Sequence, residues 1–497
     1  MRKAKLFIIN TIILTLTSII IQSISIFFNV YISNKIGAEG VGLFTLIISV
    51  FSFFITLATS GINLTVTRII SEETAKGNIK GAKKAIFECL ILSFCFGILA
   101  STILLLTSDF IVNICFKNKI TKLPLYIISI SLPFISMSAA INGYFSATRK
   151  VFKTAISQII SQIITILLAN IFLNMLLPRG LDYACISLIL ATCLSEIISF
   201  FDLYIIYKFD KRKNKIEKDK KSYQKNIFHI CLPIAITSYI RSGLNTLKQL
   251  LIPMRLQTHG LSHSVSLAKY GTVTGMVMPI LAFPGVFVNT LASLLIPEFS
   301  SIFVTKNYNR IKFLTNKIFK LSFTMSACIF GIFISFGDEL LIMIYHNAEA
   351  SKYLLTLAPL VLIMYVDNIV DGMLRGLDEQ VNVMKCNILD LFMSITFIYF
   401  FIPIFSLKAY LASIYLSEIL NGSISIYLLL RKTKIKFNII DWILKPVGVA
   451  LISRYLLYIF YSIFNLHAII PKIIIYIIIF IFTLFVTKTI TLKDIKI

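Results

Sequence analysis

The chain alternates long apolar runs with short polar connections that are mostly basic. A run of about 20 apolar residues is long enough to cross a bilayer as a helix. Fourteen such spans are read, at about 6–32, 42–66, 86–107, 123–142, 154–177, 183–207, 227–252, 270–296, 313–336, 353–374, 386–404, 409–430, 439–461 and 469–487. The weak alternation of an outer-membrane barrel is not the pattern here. The prediction is an all-α polytopic membrane protein with about 14 transmembrane helices. Spans one to six (1–207) and seven to twelve (227–430) form two pseudo-symmetric six-helix lobes. A basic cytoplasmic linker (208–226) joins them, and spans thirteen and fourteen (431–497) form a C-terminal pair.

Polar positions inside the apolar runs change the picture most in span seven. Arg241, Asn245, Lys248, Ile252 and Arg255 recur at i, i+4, i+7, i+11 and i+14, one face of a helix. A cation at the centre of a membrane helix costs roughly 2.5–3.5 kcal/mol on insertion scales. Three on one stripe must face a protein interior or a water-filled cavity. Span one carries a neutral counterpart, with Thr15, Ser18, Gln22, Ser25 and Asn29 on one face. Hydroxyls on such a face also serve helix packing and back-bonding. The expected arrangement is a shared cavity with a neutral stripe on one side and a cationic one on the other. A cavity with fixed positive charge selects an anion, and Arg and Lys suit phosphate.

Charge then gives the orientation. The chain has 497 residues, 14% of them charged, and a net charge of +25. A soluble domain is about a quarter charged. With a cytoplasmic N-terminus, 35 of the 48 Lys and Arg fall on the inside segments, as the positive-inside rule requires. That accounts for the basic balance without nucleic acid. The linker itself carries nine basic residues between Lys208 and Lys225. Met1-Arg-Lys-Ala-Lys5 followed by apolar residues looks like a signal peptide, but the run is too long and reads as an uncleaved first span. The eight cysteines form no C-x-x-C, and His259 and His263 lack a third ligand, so neither a disulfide framework nor a metal site is expected. No phosphate-binding G-x-x-x-x-G-K-[ST] loop is present, so energy must come from an ion gradient, the membrane potential or the substrate gradient.

The halves repeat weakly. Gly42 and Gly271 open spans two and eight, and Gly143 and Gly372 end spans four and ten. Both pairs are 229 residues apart. Two lobes of the same topology follow. Pro133, Pro233, Pro253, Pro279, Pro284 and Pro359, with Gly243, are the expected bending points of an alternating-access motion. The intramembrane acids are functional candidates by default. Asp367, Asp371 and Arg375 follow one another at i, i+4 and i+8, and Asn387, Asp390 and Glu418 lie on the next two spans. Asp367, Asp371 and Asp390 are candidates for Na⁺ or H⁺ coupling, with neutralisation of Arg375 or of the cavity cations as the alternative. No other cofactor is expected.

Several segments resemble a known family. They are Ile36-Gly-Ala-Glu-Gly-Val-Gly-Leu-Phe44, Thr67-Arg-Ile-Ile-Ser-Glu72 with Gly77-Asn78, Gly143-Tyr-Phe-Ser-Ala with Thr154-Ala-Ile-Ser-Gln-Ile159, and Tyr270-Gly-Thr-Val-Thr-Gly-Met276 with Leu295-Ile-Pro-Glu298. They resemble the polysaccharide flippases of the multidrug/oligosaccharidyl-lipid/polysaccharide exporter superfamily, and within it the stage V sporulation protein B group. The resemblance covers essentially the whole chain. It implies a fourteen-helix transporter, not an enzyme, that carries undecaprenyl-diphosphate-linked sugars, as a cell-wall or spore-cortex precursor, across the bacterial plasma membrane. Lipid II flippases of the superfamily use cavity arginines, and span one here has none, which leaves the sugar open. On this reading Arg241, Lys248 and Arg255, with Arg68 a fourth, hold the diphosphate, and Gln22, Asn29 and Asn245 meet sugar hydroxyls. Spans thirteen and fourteen are expected to form a groove for the polyprenyl tail. Expected partners are the lipid-linked substrate, membrane lipid and envelope-synthesis proteins; nucleic acid is not one, and a monomer is expected to suffice. The alternatives are a multidrug/cation antiporter of the same superfamily, and a membrane-embedded glycosyltransferase or polymerase. The short outside segments 253–269 and 337–352 leave no room for a catalytic domain.

Overall fold

A chain of apolar runs in lipid must satisfy its backbone within each run, and helices do so. The computed structural model describes residues 2–115, 122–211, 223–435, 437–464 and 468–489, and every regular element among them is helical. Most of the basic linker, 212–222, lies outside the described residues. Fourteen helices among the described residues are long and apolar enough to cross a membrane. Their division departs from the expected one at two places. Span one and most of span two run on in one helical stretch, Arg2–Thr59, interrupted at Gly37, whose φ of 69° and ψ of 178° are non-helical. Span eight is instead two pieces, His263–Ala282 and Gly285–Val304, parted by a turn at Phe283 and Pro284. Span two has a similar break at Gly61 (φ 78°), between Thr59 and Ile62. The second helix of each half is therefore bent, each by the residue type its backbone needs, glycine in one and proline in the other.

The described residues fall into two compact units. The first comprises 1–257 and 261–271, the second 258–260 and 272–497. The contacts thus place span seven with the first six spans, whereas charge and repeat placed the boundary in the linker before it.

In the first unit, small residues let backbones approach closely, as membrane packing requires. Gly97 faces Pro133, where a Cβ would come within 2.5 Å of its Cα. Ser136 donates to the carbonyls of Ser93 (2.6 Å) and Ala58 (2.8 Å), tying three helices together. Gly143 lies against Asn63 and Val66 of the second piece of span two. Gly42 and Gly271, which the repeat equates, meet each other at a helix crossing. A Cβ on Gly271 would lie 2.1 Å from the Ala38 carbonyl oxygen.

In the second unit, Gly372 and Gly376 of span ten lie against the carbonyls of Ala292 and Ile296, on the second piece of span eight. Gly143 and Gly372, again equated by the repeat, perform the same task in the two halves. Spans thirteen and fourteen pack on span nine through Phe336, Ala450, Leu457, Tyr476 and Phe480. Gly331 gives the Tyr476 ring its place.

Candidate functional site

Span seven is one unbroken helix, Gln224–Thr258, that runs through both Pro233 and Pro253. It approaches span two closely at Gly61, where a Cβ would come within 2.6 Å of the Cys231 carbonyl oxygen. Further along, a polar row fixes its rotation. Tyr239 Oη donates to the Leu57 carbonyl (3.0 Å), Ser242 Oγ to Thr56 Oγ1 (3.1 Å), and Thr246 Oγ1 to the Ser49 carbonyl (3.1 Å). Gln249 accepts from Tyr270 Oη at 2.5 Å. At about 100° per residue this row lies roughly a third of a turn from the cationic stripe. Anchoring one face leaves the other turned away from span two. Arg241 and Asn245 are exposed, Lys248 and Arg255 are half-buried, and Ile252 between them is buried.

The other expected substrate residues are placed differently. Gln22 and Asn29 are half-buried on span one. Asn29 Oδ1 accepts from Ser33 Oγ on its own helix at 3.4 Å, and the Thr15 side chain lies outside the described residues. Both stripes belong to the first unit. Arg68 Nε is paired with Glu72 at 3.0 Å, both side chains at least half exposed. The pair borders a cavity of about 480 Å³ that also includes Glu73, Lys76, Tyr223 and His229. Two acids there offset two cations, so Arg68 does not extend the positive stripe of span seven.

The acids of the second unit do converge. Asp367 is 7% exposed. Its Oδ2 accepts from Asn421 Nδ2 at 2.8 Å, whereas Oδ1 is buried and receives no hydrogen bond. Asn421 Nδ2 also reaches Asn387 Oδ1 at 3.4 Å. Asp390 accepts from Ser417 (2.9 Å) and Ser394 (3.4 Å). Asp371 lies 3.6 Å from Arg375 and accepts from Ser425 at 3.4 Å. Asp371, Asp390 and Glu418 are all near enough to act electrostatically on Asp367. Three helices thus contribute three rows to one network: 367, 371 and 375; 387, 390 and 394; 417, 421 and 425.

Asn421 is the residue that sequence reasoning missed, although Ser417, Asn421 and Ser425 follow the same i, i+4, i+8 rule. It is the donor that links Asp367 to Asn387. Asp202 of span six was also missed; its Oδ2 is buried with no partner. Among the described residues no three His, Cys, Asp or Glu side chains are placed to hold a metal, and His259 Nδ1 lies 2.8 Å from the Pro403 carbonyl.

Among the described residues, fourteen helices long enough to span a membrane, several of them carrying charged rows, define a multi-pass membrane protein built as transporters are. Residues 7–303 match the family described as polysaccharide biosynthesis protein, and the chain belongs to that family. It is 23% identical over 378 residues to stage V sporulation protein B of Bacillus subtilis, covering 75% of this chain and 73% of that one. It is 22% identical over 407 residues to the lipid II flippase MurJ of the same organism, with the same shares covered. Its fold is that of an inward-facing multidrug resistance MATE family transporter of the MOP superfamily (TM-score 0.65, 15% identity, 83% of this chain and 94% of that one). It is also that of a MOP superfamily transporter from Pyrococcus furiosus described by the reverse polarity of its binding pocket (TM-score 0.60, 15% identity, 86% and 95% covered). One of these relatives is named a flippase and the solved neighbours are transporters, and the chain is a membrane transporter of the flippase class rather than an enzyme.

Proposed function

We propose that the protein moves an anionic lipid-linked oligosaccharide, carried on undecaprenyl diphosphate, outward across the bacterial plasma membrane by alternating access, with both termini cytoplasmic. The observation that carries this reading is the row Arg241, Lys248 and Arg255 on one face of a spanning helix whose adjacent face is hydrogen-bonded to span two. Such charges are retained in a membrane where they meet an anion or a water-filled path. Asn245 in the same row, and Gln22 and Asn29 on span one, would meet sugar hydroxyls. The names of the relatives, a sporulation protein and a lipid II flippase, agree in kind. A cationic drug would need an acidic row where this one is basic, which ranks a multidrug antiporter second. The test is complementation of a flippase-depleted strain by Arg241→Ala, Lys248→Ala and Arg255→Ala, each at normal abundance. We expect each change to abolish or severely reduce growth; full activity from all three would remove the stripe from the mechanism.

Asp367 supports ion coupling within that reading. A carboxylate that is 7% exposed, with one oxygen lacking any donor, is costly unless a proton or cation completes it. Na⁺ at constant ionic strength, exchanged against K⁺, should raise the melting temperature of the purified protein and leave Asp367→Asn unmoved. Normal transport by Asp367→Asn would remove the coupling role.

A further inference from the structure

The second unit holds a cavity outside both sites above. It has a volume of about 1190 Å³ and lies where spans nine, twelve, thirteen and fourteen end on one side of the bundle. Six lysines line it, Lys312, Lys317 and Lys320 on span nine, Lys434 after span twelve, Lys445 at the start of span thirteen and Lys488 after span fourteen. Among the described residues the one acid in its wall is Asp441, which pairs with Lys445 and also lies within electrostatic reach of Lys320. Its floor is aromatic. Trp442 and Phe437 line it and meet edge-on at 5.1 Å, and the Trp442 ring is backed by the buried Phe319, stacked on it with centroids 4.8 Å apart. At its rim Ile439 and Ile440 are 54% and 60% exposed.

Topogenic lysines need only lie near the ends of spans on the inner side. Nothing in that rule gathers them around one concavity. Four separate chain segments deliver ammonium groups here, and two of them do so from strained backbone: Lys434 and Lys488 have φ of 54° and 52°. A glycine would sit there at less cost. Like charges gathered around a low-dielectric floor repel one another unless an anion lies among them. The exposed isoleucines beside them suit a ligand that is charged at one end and apolar at the other. Basic pockets between spanning helices recognise lipid headgroups by this combination.

We propose that this cavity binds the phosphate-bearing headgroup of an anionic phospholipid, with the acyl chains running past Ile439 and Ile440. The ammonium groups of Lys312, Lys434 and Lys488 contact the phosphate oxygens, and Trp442 and Phe437 support the glycerol region. The site is distinct from the span-seven stripe and does not depend on what the protein transports.

The test uses the full chain in mild detergent, with binding followed by native mass spectrometry. The probes are phosphatidylglycerol, phosphatidylcholine and soluble inorganic diphosphate. The triple variant Lys312→Gln/Lys434→Gln/Lys488→Gln is compared with Lys80→Gln/Lys83→Gln/Lys208→Gln, which loses the same charge elsewhere. At about 1 kcal/mol per basic residue, the cavity variant should lose phosphatidylglycerol affinity on the order of a hundredfold, and the control variant should not. Phosphatidylcholine should bind weakly to all three proteins. Diphosphate that competes fully with phosphatidylglycerol at micromolar concentration would overturn the lipid assignment in favour of a soluble phosphate ester. Equal loss in both variants, or a change below about threefold in the cavity variant, would overturn the site itself. Monodisperse elution and unchanged melting temperature show that each variant is folded.

Discussion

At the scale of single residues, the close helix crossings decide where the chain tolerates a side chain. Gly42 and Gly271 meet with no room for a Cβ: on Gly42 it would lie 2.1 Å from the Leu267 carbonyl oxygen. Backbone cannot yield as a side chain does, so the helices must separate and lose contacts along their length. Gly42→Ala or Gly271→Ala should each destabilise the protein by roughly 1–3 kcal/mol, seen as a lower melting temperature in detergent. Gly448 has nothing within 4 Å of a built Cβ, and its backbone is helical. Gly448→Ala should be neutral or stabilise by up to about 1 kcal/mol. Equal effects at the three positions would show that the crossing is not tight. The sequence pointed to Gly42 and Gly271 as a repeat, because spacing survives where identity does not. It did not show that the two residues touch, since the touch depends on how the helices are placed.

At the scale of elements, the break in span eight was half visible, since Pro284 stands among the expected bending points, and the break at Gly61 in span two was hidden. Apolar periodicity continues through Phe283 and Pro284, so hydropathy alone runs the two pieces together. The row of span ten was legible as an i, i+4 pattern, and Asp390 of span eleven as an acid inside an apolar run. The matching row on span twelve was not, because serines and one asparagine in an apolar run look like packing residues. Where spans ten and eleven join, Glu379 is held by Lys432 at the end of span twelve and by Asn382. The hydrogen bond from the Lys432 ammonium is the largest influence, and it holds the Glu379 carboxyl below the usual carboxylate range. A depressed acid contributes stability that is present above its unfolded value, about 4.3, and is lost as pH falls through the lower folded value. Partial exposure screens the pair, which limits the contribution to roughly 1 kcal/mol. Glu379→Gln should therefore lower the melting temperature at pH 7, and the deficit should shrink as pH falls below about 4.3. A deficit that stays constant as the pH is lowered into full carboxyl protonation would assign the effect to packing instead.

At the scale of the whole molecule, topology follows from where the lysines lie, and the second unit alone can test it. The number of spanning helices and their even count were legible because apolar length and charge asymmetry are physical requirements of the bilayer. The grouping of span seven with the first six spans was not legible, since it rests on Tyr239, Ser242 and Thr246 finding carbonyl and hydroxyl acceptors on span two. The orientation argument is independent of that grouping. Within the second unit, Lys306 and Lys434 lie at span ends on the lysine-rich side, whereas Asn347 lies in the short connection at the other ends of spans nine and ten. If the basic side is cytoplasmic, a cysteine at Asn347 reacts with a membrane-impermeant maleimide in intact cells. Cysteines at Lys306 and Lys434 react only after permeabilisation. The native cysteines in the described spans are mostly buried and give a low background; Cys95, which is exposed, is replaced by Ala. The reverse labelling pattern would invert the topology. The lysine-lined cavity would then open to the outside, where the negative cytoplasmic leaflet that favours such a site is absent. Topology and lipid binding thus stand in one chain of reasoning, and the labelling experiment tests its first link.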